Sequence, residues 1–105
     1  GNASFLAVLK RFGEAGDGLL SFPQAGMTLA LDLPLRAGTL ALLDRLDAIV
    51  VAHAGRVYLA KDARLNASMM SAMYPQLAEW QAIRRELDPD GLFVSALGQR
   101  LEMAP

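Results

Sequence analysis

Lys61 ends the run Arg56-Val57-Tyr58-Leu59-Ala60-Lys61-Asp62-Ala63-Arg64, where a short apolar stretch gives way to charged residues. A cation held at such a point can stabilise negative charge that develops on a bound cofactor or substrate. Read as a strand, the stretch places Val57, Leu59 and Lys61 on one side. An ammonium there must either meet an anion or run its stem along apolar surface and reach water. On pattern alone, snorkelling is the simpler outcome.

Other chemistries find less support. His53 is the only histidine and cysteine is absent. That composition disfavours metal sites, disulfides and thiol catalysis, and leaves His53 a structural role near a helix C-terminus. No Gly-x-Ser-x-Gly turn is present to support a serine nucleophile. Gly13, Gly16 and Gly18 read as a turn rather than a phosphate loop, because no strand is expected before them and no Lys-Ser/Thr pair comes after. Asp44, Asp47, Glu79 and Glu86 read as solvated carboxylates on polar helix faces. Trp80 reads as core, and Arg84 and Arg85 as surface partners of Glu79 or Glu86. The five methionines read as gap-fillers, with a hydrophobic channel as the alternative for Met69, Met70 and Met73.

The elements that must position Lys61 emerge from periodicity. Ser4 can cap a short helix with Phe5, Leu6, Val8, Leu9 and Phe12 on its apolar face. Leu19–Phe22 reads as a short strand stopped by Pro23. From Met27 the pattern alternates, with Met27, Leu29, Leu31, Leu33 and Leu35 toward the core and Thr28, Ala30 and Asp32 on a small polar face. Thr39 can cap a helix to about Ala54, with Gly55 as its stop. Arg56–Ala60 then reads as a strand, parallel to the previous one through a right-handed crossover. Asn66 can cap a helix ended by Pro75. A further helix carries Leu77, Trp80, Ile83 and Leu87, and Asp88–Gly91 turns the chain into an extended Leu92–Val94. The sum is an α+β fold: a small mixed sheet with helices on one side.

At 105 residues the chain makes one small domain. Apolar residues are 53% of it and mean hydropathy is +0.27, so part of the apolar surface is expected to face a partner or a missing domain. Net charge is −1 with no basic tract, which gives nucleic acid no electrostatic footprint. The longest apolar stretch, Met27 to Leu35, is broken by Asp32 and Pro34 and is too short to span a bilayer. Gly1-Asn2-Ala3 reads as a tag remnant ahead of an excised segment, residues 4–105. Asn2-Ala3-Ser4 and Asn66-Ala67-Ser68 read as chance matches to the glycosylation sequon.

Several stretches, in order and spacing, carry a resemblance: Phe5-Leu6-Ala7-Val8-Leu9-Lys10-Arg11-Phe12-Gly13, Leu20-Ser21-Phe22-Pro23, Gly26 to Pro34, Tyr58-Leu59-Ala60-Lys61-Asp62, Met73 to Trp80, and Asp88-Pro89-Asp90-Gly91-Leu92-Phe93. Together they resemble the C-terminal part of FAD-linked sugar oxidases with the vanillyl-alcohol-oxidase-type fold. The resemblance implies the substrate (cap) domain of a flavoenzyme that oxidises a sugar or alditol hydroxyl to a ketone by hydride transfer to FAD. It implies that FAD is held mainly by an N-terminal domain outside this chain, so that the isolated segment is inactive. Lys61 matches the family's active-site lysine, Tyr58 a pocket tyrosine and Lys10 a second pocket lysine. The polar face of the Met27 strand would face the substrate, which places Thr28 and Ala30 in the pocket. Ala30 stands where many members carry a cysteine, so a thiol-directed inhibitor has no target there. Met27 and Thr28 stand where tryptophan and asparagine are expected, which leaves the exact sugar open. A short-chain reductase and a polyprenyl-linked sugar are the implied partners, with a cytoplasmic location peripheral to the membrane. The competing reading is a free-standing ferredoxin-like module that dimerises or binds a small ligand; there Lys61 is dispensable.

Overall fold

The computed structural model describes residues 3–103. Gly1 and Asn2, and with them most of the expected tag remnant and the first sequon asparagine, lie outside the described residues. The elements run β1 (Leu6–Phe12), β2 (Gly26–Asp32), α1 (Thr39–Ala52), a 3₁₀ turn (Leu59–Lys61), α2 (Ala67–Met73), α3 (Leu77–Leu87) and α4 (Ala96–Arg100). The architecture is α+β.

The segment expected as a first helix is strand β1, antiparallel to β2 in a hairpin pairing Leu6 with Asp32, Val8 with Ala30 and Lys10 with Thr28. A short apolar run serves either period, and here the ladder with the alternating Met27 segment decides. The expected Leu19–Phe22 strand belongs instead to the loop between β1 and β2. A strand thus does precede the glycines, but the next element is a second strand and not a helix. A Cβ on Gly16 would lie 2.2 Å from Ser21 Oγ, so a larger residue there would require the serine hydroxyl to rotate away.

The Arg56–Ala60 strand does not form, so among the described residues the sheet is antiparallel and two-stranded rather than mixed, and the strand–helix–strand unit of the ferredoxin-like reading is not made. Side chains hold this segment instead of a ladder. The Tyr74 hydroxyl donates to the Val57 carbonyl at 2.7 Å, Arg56 donates to the Ser21 carbonyl, and its guanidinium lies 5.3 Å from the centre of the Tyr74 ring.

Helix α1 forms where expected, but its faces differ from the apolar pattern, with Leu40 and Ile49 exposed and Asp47 buried, and its ends differ too. Gly38, in the left-handed region (φ 85°), is its N-cap. Thr39 is buried one residue inside, donating to the Pro34 carbonyl at 2.9 Å and accepting from the Arg36 amide at 3.1 Å. At the C-terminus Ala54 takes the left-handed conformation (φ 53°) and Gly55 N–H closes onto the Val50 carbonyl at 2.8 Å. A Cβ on Gly55 would sit 3.0 Å from the Val50 side chain, so glycine is required by proximity. Asn66 caps α2 as expected, accepting from Met69 N–H at 2.9 Å. Helix α4, capped by Ser95 through Gly98 N–H at 3.0 Å, occupies residues beyond the expected extended piece.

The core is small and helical: Leu65, Met70, Met73, Tyr74, Leu77 and Leu101 are buried, with Trp80, Val57 and Leu59 packed against them. Met70 and Met73 are therefore core side chains, not a channel lining. By contrast the hairpin is almost wholly exposed. Its expected core face carries Met27 at 60% and Leu29 at 57% exposure, beside Leu9 at 63%. The Cα radius of gyration is 15.2 Å, against about 13 Å for a closed domain of this length. Among the described residues, both strands of the hairpin are largely uncovered.

The contacts that hold the helical half lead to two predictions. Tyr74→Phe keeps the ring and strands the Val57 carbonyl, which costs about 1–2 kcal/mol; thermal unfolding of the two forms measures it, and equal midpoints would show that the bond contributes nothing. The second concerns acid. Burial by itself would raise the Asp62 carboxyl, but the amides of Leu65 and Arg64 and the Arg100 guanidinium outweigh it and hold it below the ordinary range. Asp88 behaves alike: burial opposes, and the amides of Phe93 and Leu92 with Arg84 prevail. Because both folded values lie below the unfolded value of about 3.9, their stabilisation is complete above that pH and is lost as pH falls through the folded values. Urea midpoints should drop on the acid side, and Asp62→Asn should lower the neutral-pH midpoint while flattening that drop. An acid limb unchanged by the substitution would contradict the assignment.

Candidate functional site

Strand alternation and register together sort the candidate residues. Leu6, Val8, Lys10 and Phe12 on β1 share a face with Asp32, Ala30, Thr28 and Gly26 on β2. Lys10 and Thr28 are thus direct cross-strand neighbours, with Ala30 two residues along β2 opposite Val8. The other face carries Ala7, Leu9 and Arg11 opposite Leu31, Leu29 and Met27, and its leucines and Met27 are exposed.

Phe12, at the end of the Lys10 face, meets the Phe22 ring edge-to-face at 5.6 Å. Phe22 in turn lies 5.0 Å from the Tyr58 ring, tilted by 38°. This aromatic chain ties Tyr58 to the hairpin across a long sequence separation. Tyr58 also caps the 3₁₀ turn, and its carbonyl accepts from Lys61 N–H at 3.1 Å. Lys10, Thr28, Ala30 and Tyr58 are therefore joined through one face and its aromatic extension, with Lys61 on the turn attached to it. The linking role of Phe12 and Phe22 has no signal in the sequence, because the spacing Phe12…Phe22…Tyr58 has no local period that would reveal it.

Lys61 is exposed, and among the described residues its ammonium has no ion-pair partner. The expected strand end is replaced by a turn, so alternation with Val57 and Leu59 no longer dictates its direction. Lys10 is likewise exposed on β1. Both ammonium groups are available to an anion.

The remaining candidates resolve into structure. His53 Nδ1 lies 2.9 Å from the Ile49 carbonyl at the end of α1. Arg64 joins Asp44 at 2.8 Å and Asp47 at 2.6 Å, so Asp47, expected in solvent, is buried and paired. Arg84 pairs with Asp88 at 3.1 Å and also reaches the Phe93 carbonyl, rather than Glu79 or Glu86. Among the described residues no cluster of three or more His, Asp or Glu side chains could hold a metal ion, and no helix is long and apolar enough to cross a membrane. An open polar cleft of about 450 Å³ between α2, α3 and α4, lined by Ser68, Ser71, Gln81 and Glu102, contains none of the candidate residues.

Comparison with known proteins bears on this arrangement. The family model described as D-arabinono-1,4-lactone oxidase matches residues 29–101. The chain is 44% identical over 103 residues to decaprenylphosphoryl-beta-D-ribose oxidase of Mycolicibacterium smegmatis, covering 98% of this chain and 22% of that protein. It is 47% identical over 102 residues to the uncharacterized protein in mprA 5'region of Streptomyces coelicolor, covering 96% of this chain and 28% of that one. The chain thus spans about a quarter of the length of the curated relatives it matches. On the match from β2 through α4, the chain belongs to the D-arabinono-1,4-lactone oxidase family of oxidases.

Proposed function

We propose that this chain is the C-terminal part of the substrate domain of an FAD-dependent oxidoreductase that oxidises a sugar or alditol hydroxyl to a ketone, of the decaprenylphosphoryl-ribose 2′-oxidase type. The observation that carries the reading is the convergence of Lys10, Thr28, Ala30 and Tyr58 on one face and its aromatic extension, with Lys61 adjoining, in a chain whose relative at 44% identity is named as a ribose oxidase. Residues 4–105 are then one segment of a longer protein whose flavin-binding domain precedes it.

The residues present suit one wall of a flavin site. Two exposed ammonium groups can face negative charge, Thr28 supplies a hydroxyl beside Lys10, and Ala30 keeps the sheet surface low where a bulky side chain would hold a planar ring away. When bound, FAD supplies a two-electron acceptor for the hydride of a sugar carbinol. With FAD bound, the Lys61 ammonium would stabilise negative charge on the reduced ring, an effect that grows as water is excluded. Lys10 and Tyr58 orient the sugar, and Thr28 and Ala30 shape the pocket floor. A polyprenyl-linked ribose as substrate, a short-chain reductase consuming the keto product for arabinose-donor synthesis, and work at a membrane surface complete the reading.

The exposed Leu9, Met27 and Leu29 of the hairpin support the same reading, since among the described residues nothing buries them. Fully burying one leucine is worth about 1.5–3 kcal/mol, far more than an exposed leucine contributes here. Leu29→Asp should therefore lower the melting temperature of the longer protein by several degrees, yet leave the 105-residue chain unchanged or more soluble. Equal tolerance in both would mean that the face stays bare.

The role of Lys61 is tested by Lys61→Ala in the longer protein carrying FAD. Anaerobic reduction of the flavin by decaprenylphosphoryl-β-D-ribose, monitored by loss of its visible absorbance, should slow by about 10²–10³-fold, the usual cost of removing one transition-state charge stabiliser. A rate equal to the unsubstituted protein would take Lys61 out of the site.

A further inference from the structure

Lys61 is held by what flanks it. The 3₁₀ turn that carries it is three residues long and closed by Lys61 N–H to Tyr58 and Asp62 N–H to Leu59 at 3.2 Å. Such short turns have poor hydrogen-bond geometry and little stability of their own. Upstream the segment is fixed by Tyr74 on the Val57 carbonyl. Leu59 within the turn packs on the core, and downstream Arg64 is tied to α1 through Asp44 and Asp47; the residue next to Lys61 is Asp62, whose side chain is only 5% exposed. Its Oδ1 accepts from Leu65 N–H at 2.9 Å and Arg64 N–H at 3.1 Å, and its Oδ2 lies 2.9 Å from Arg100 Nη2. The other terminal nitrogen of Arg100 donates to the Leu65 carbonyl, so one guanidinium bridges the carboxylate and the backbone three residues beyond it. Arg100 ends α4, and the next residue, Leu101, is 1% exposed in the core. A five-residue helix does not stand alone; Leu101 anchors it, and Arg100 passes that anchorage to Asp62 and the turn.

We infer that the Asp62–Arg100 pair is a positioning clamp for Lys61, through which helix α4 sets where the lysine ammonium sits. The inference rests on the reading of Lys61 as a flavin-site cation, and neither Asp62 nor Arg100 is assigned contact with flavin or sugar. A functional group must be held within about 0.5 Å of its productive place, and a displacement of about 1 Å can cost roughly 10²-fold in rate. A loose 3₁₀ turn does not meet that demand unaided, whereas a carboxylate tied to two amides and a core-anchored guanidinium does.

The test is a double-mutant cycle in the full-length FAD protein with Arg100→Met, Lys61→Ala and the pair, reading both the flavin midpoint potential and its reduction by decaprenylphosphoryl-β-D-ribose. Arg100→Met keeps an apolar stem and leaves Asp62 its two amide donors, so the turn retains its local cap. With Lys61 present, it should slow reduction about tenfold or more and lower the equilibrium constant for two-electron reduction about tenfold, which is about 30 mV. In the Lys61→Ala background it should change neither quantity. Equal effects in both backgrounds would make Arg100 merely structural and overturn the clamp. Lys61→Ala leaving rate and potential untouched would instead overturn the flavin-site reading, and the clamp with it. Should Arg100→Met fail to fold, Arg100→Lys, which keeps the charge but cannot span both acceptors, carries the same comparison.

Discussion

The hydroxyl of Tyr74 on the Val57 carbonyl is the contact on which the arrangement of the candidate site depends. Tyr74 is 1% exposed, at the centre of the helical core. The segment it captures would otherwise have no regular structure to hold it, since it joins no sheet. One neutral hydrogen bond is worth only about 1 kcal/mol net, but this one is reinforced by Arg56 over the same ring and by Val57 and Leu59 packed on the core. Upstream anchorage at Val57 and downstream anchorage at Asp62 leave only Tyr58 to Lys61 between them. Of these, Tyr58 is linked through Phe22 to the hairpin, and Lys61 is exposed beside it.

Apolar surface is left bare on both halves of the molecule: Leu9, Met27 and Leu29 on the hairpin, and Leu40, Ile49, Leu87 and Phe93 outside it. A two-stranded sheet is marginal in water on its own, and this one shows solvent both a lysine-bearing face and a leucine-rich face. That combination has a simple physical meaning when the chain is about a quarter of its relatives' length. The apolar face suits burial against further protein, and the Lys10 face suits a ligand. The high apolar content visible in the composition is thus spread over exposed surface on the hairpin and the helical half alike, and the core, six buried side chains among the described residues, is modest.

Elements with strong local signals were legible in the sequence: α1 ahead of Gly55, α2 with Asn66 before it and Pro75 after it, α3 around Trp80, and the alternation of Met27 to Asp32. Segments governed by distant partners were not. Leu6–Phe12 is apolar on nearly every residue, so only its pairing with β2 distinguishes strand from helix. Arg56–Ala60 has strand composition, yet the Tyr74 hydroxyl takes the Val57 carbonyl that a ladder would have used, and the Arg56 side chain ties the segment to the Ser21 carbonyl. Asp47 lies on a face that reads as solvated, and is buried because Arg64, seventeen residues on, folds over it. The candidate residues Lys10, Thr28, Ala30, Tyr58 and Lys61 came from resemblance to a family and not from periodicity. Their common setting emerges only from the register of the hairpin and the rings of Phe12 and Phe22.

A structure of the longer protein with FAD bound tests the central claim most directly, through the position of the Lys61 ammonium. It is expected within about 3 Å of a flavin or bound-sugar oxygen, with the Lys10 face of the hairpin turned to the ring and Leu29 buried against the preceding domain. A Lys61 side chain in open solvent, with the flavin against some other surface, would contradict the assignment of this chain to the wall of the active site.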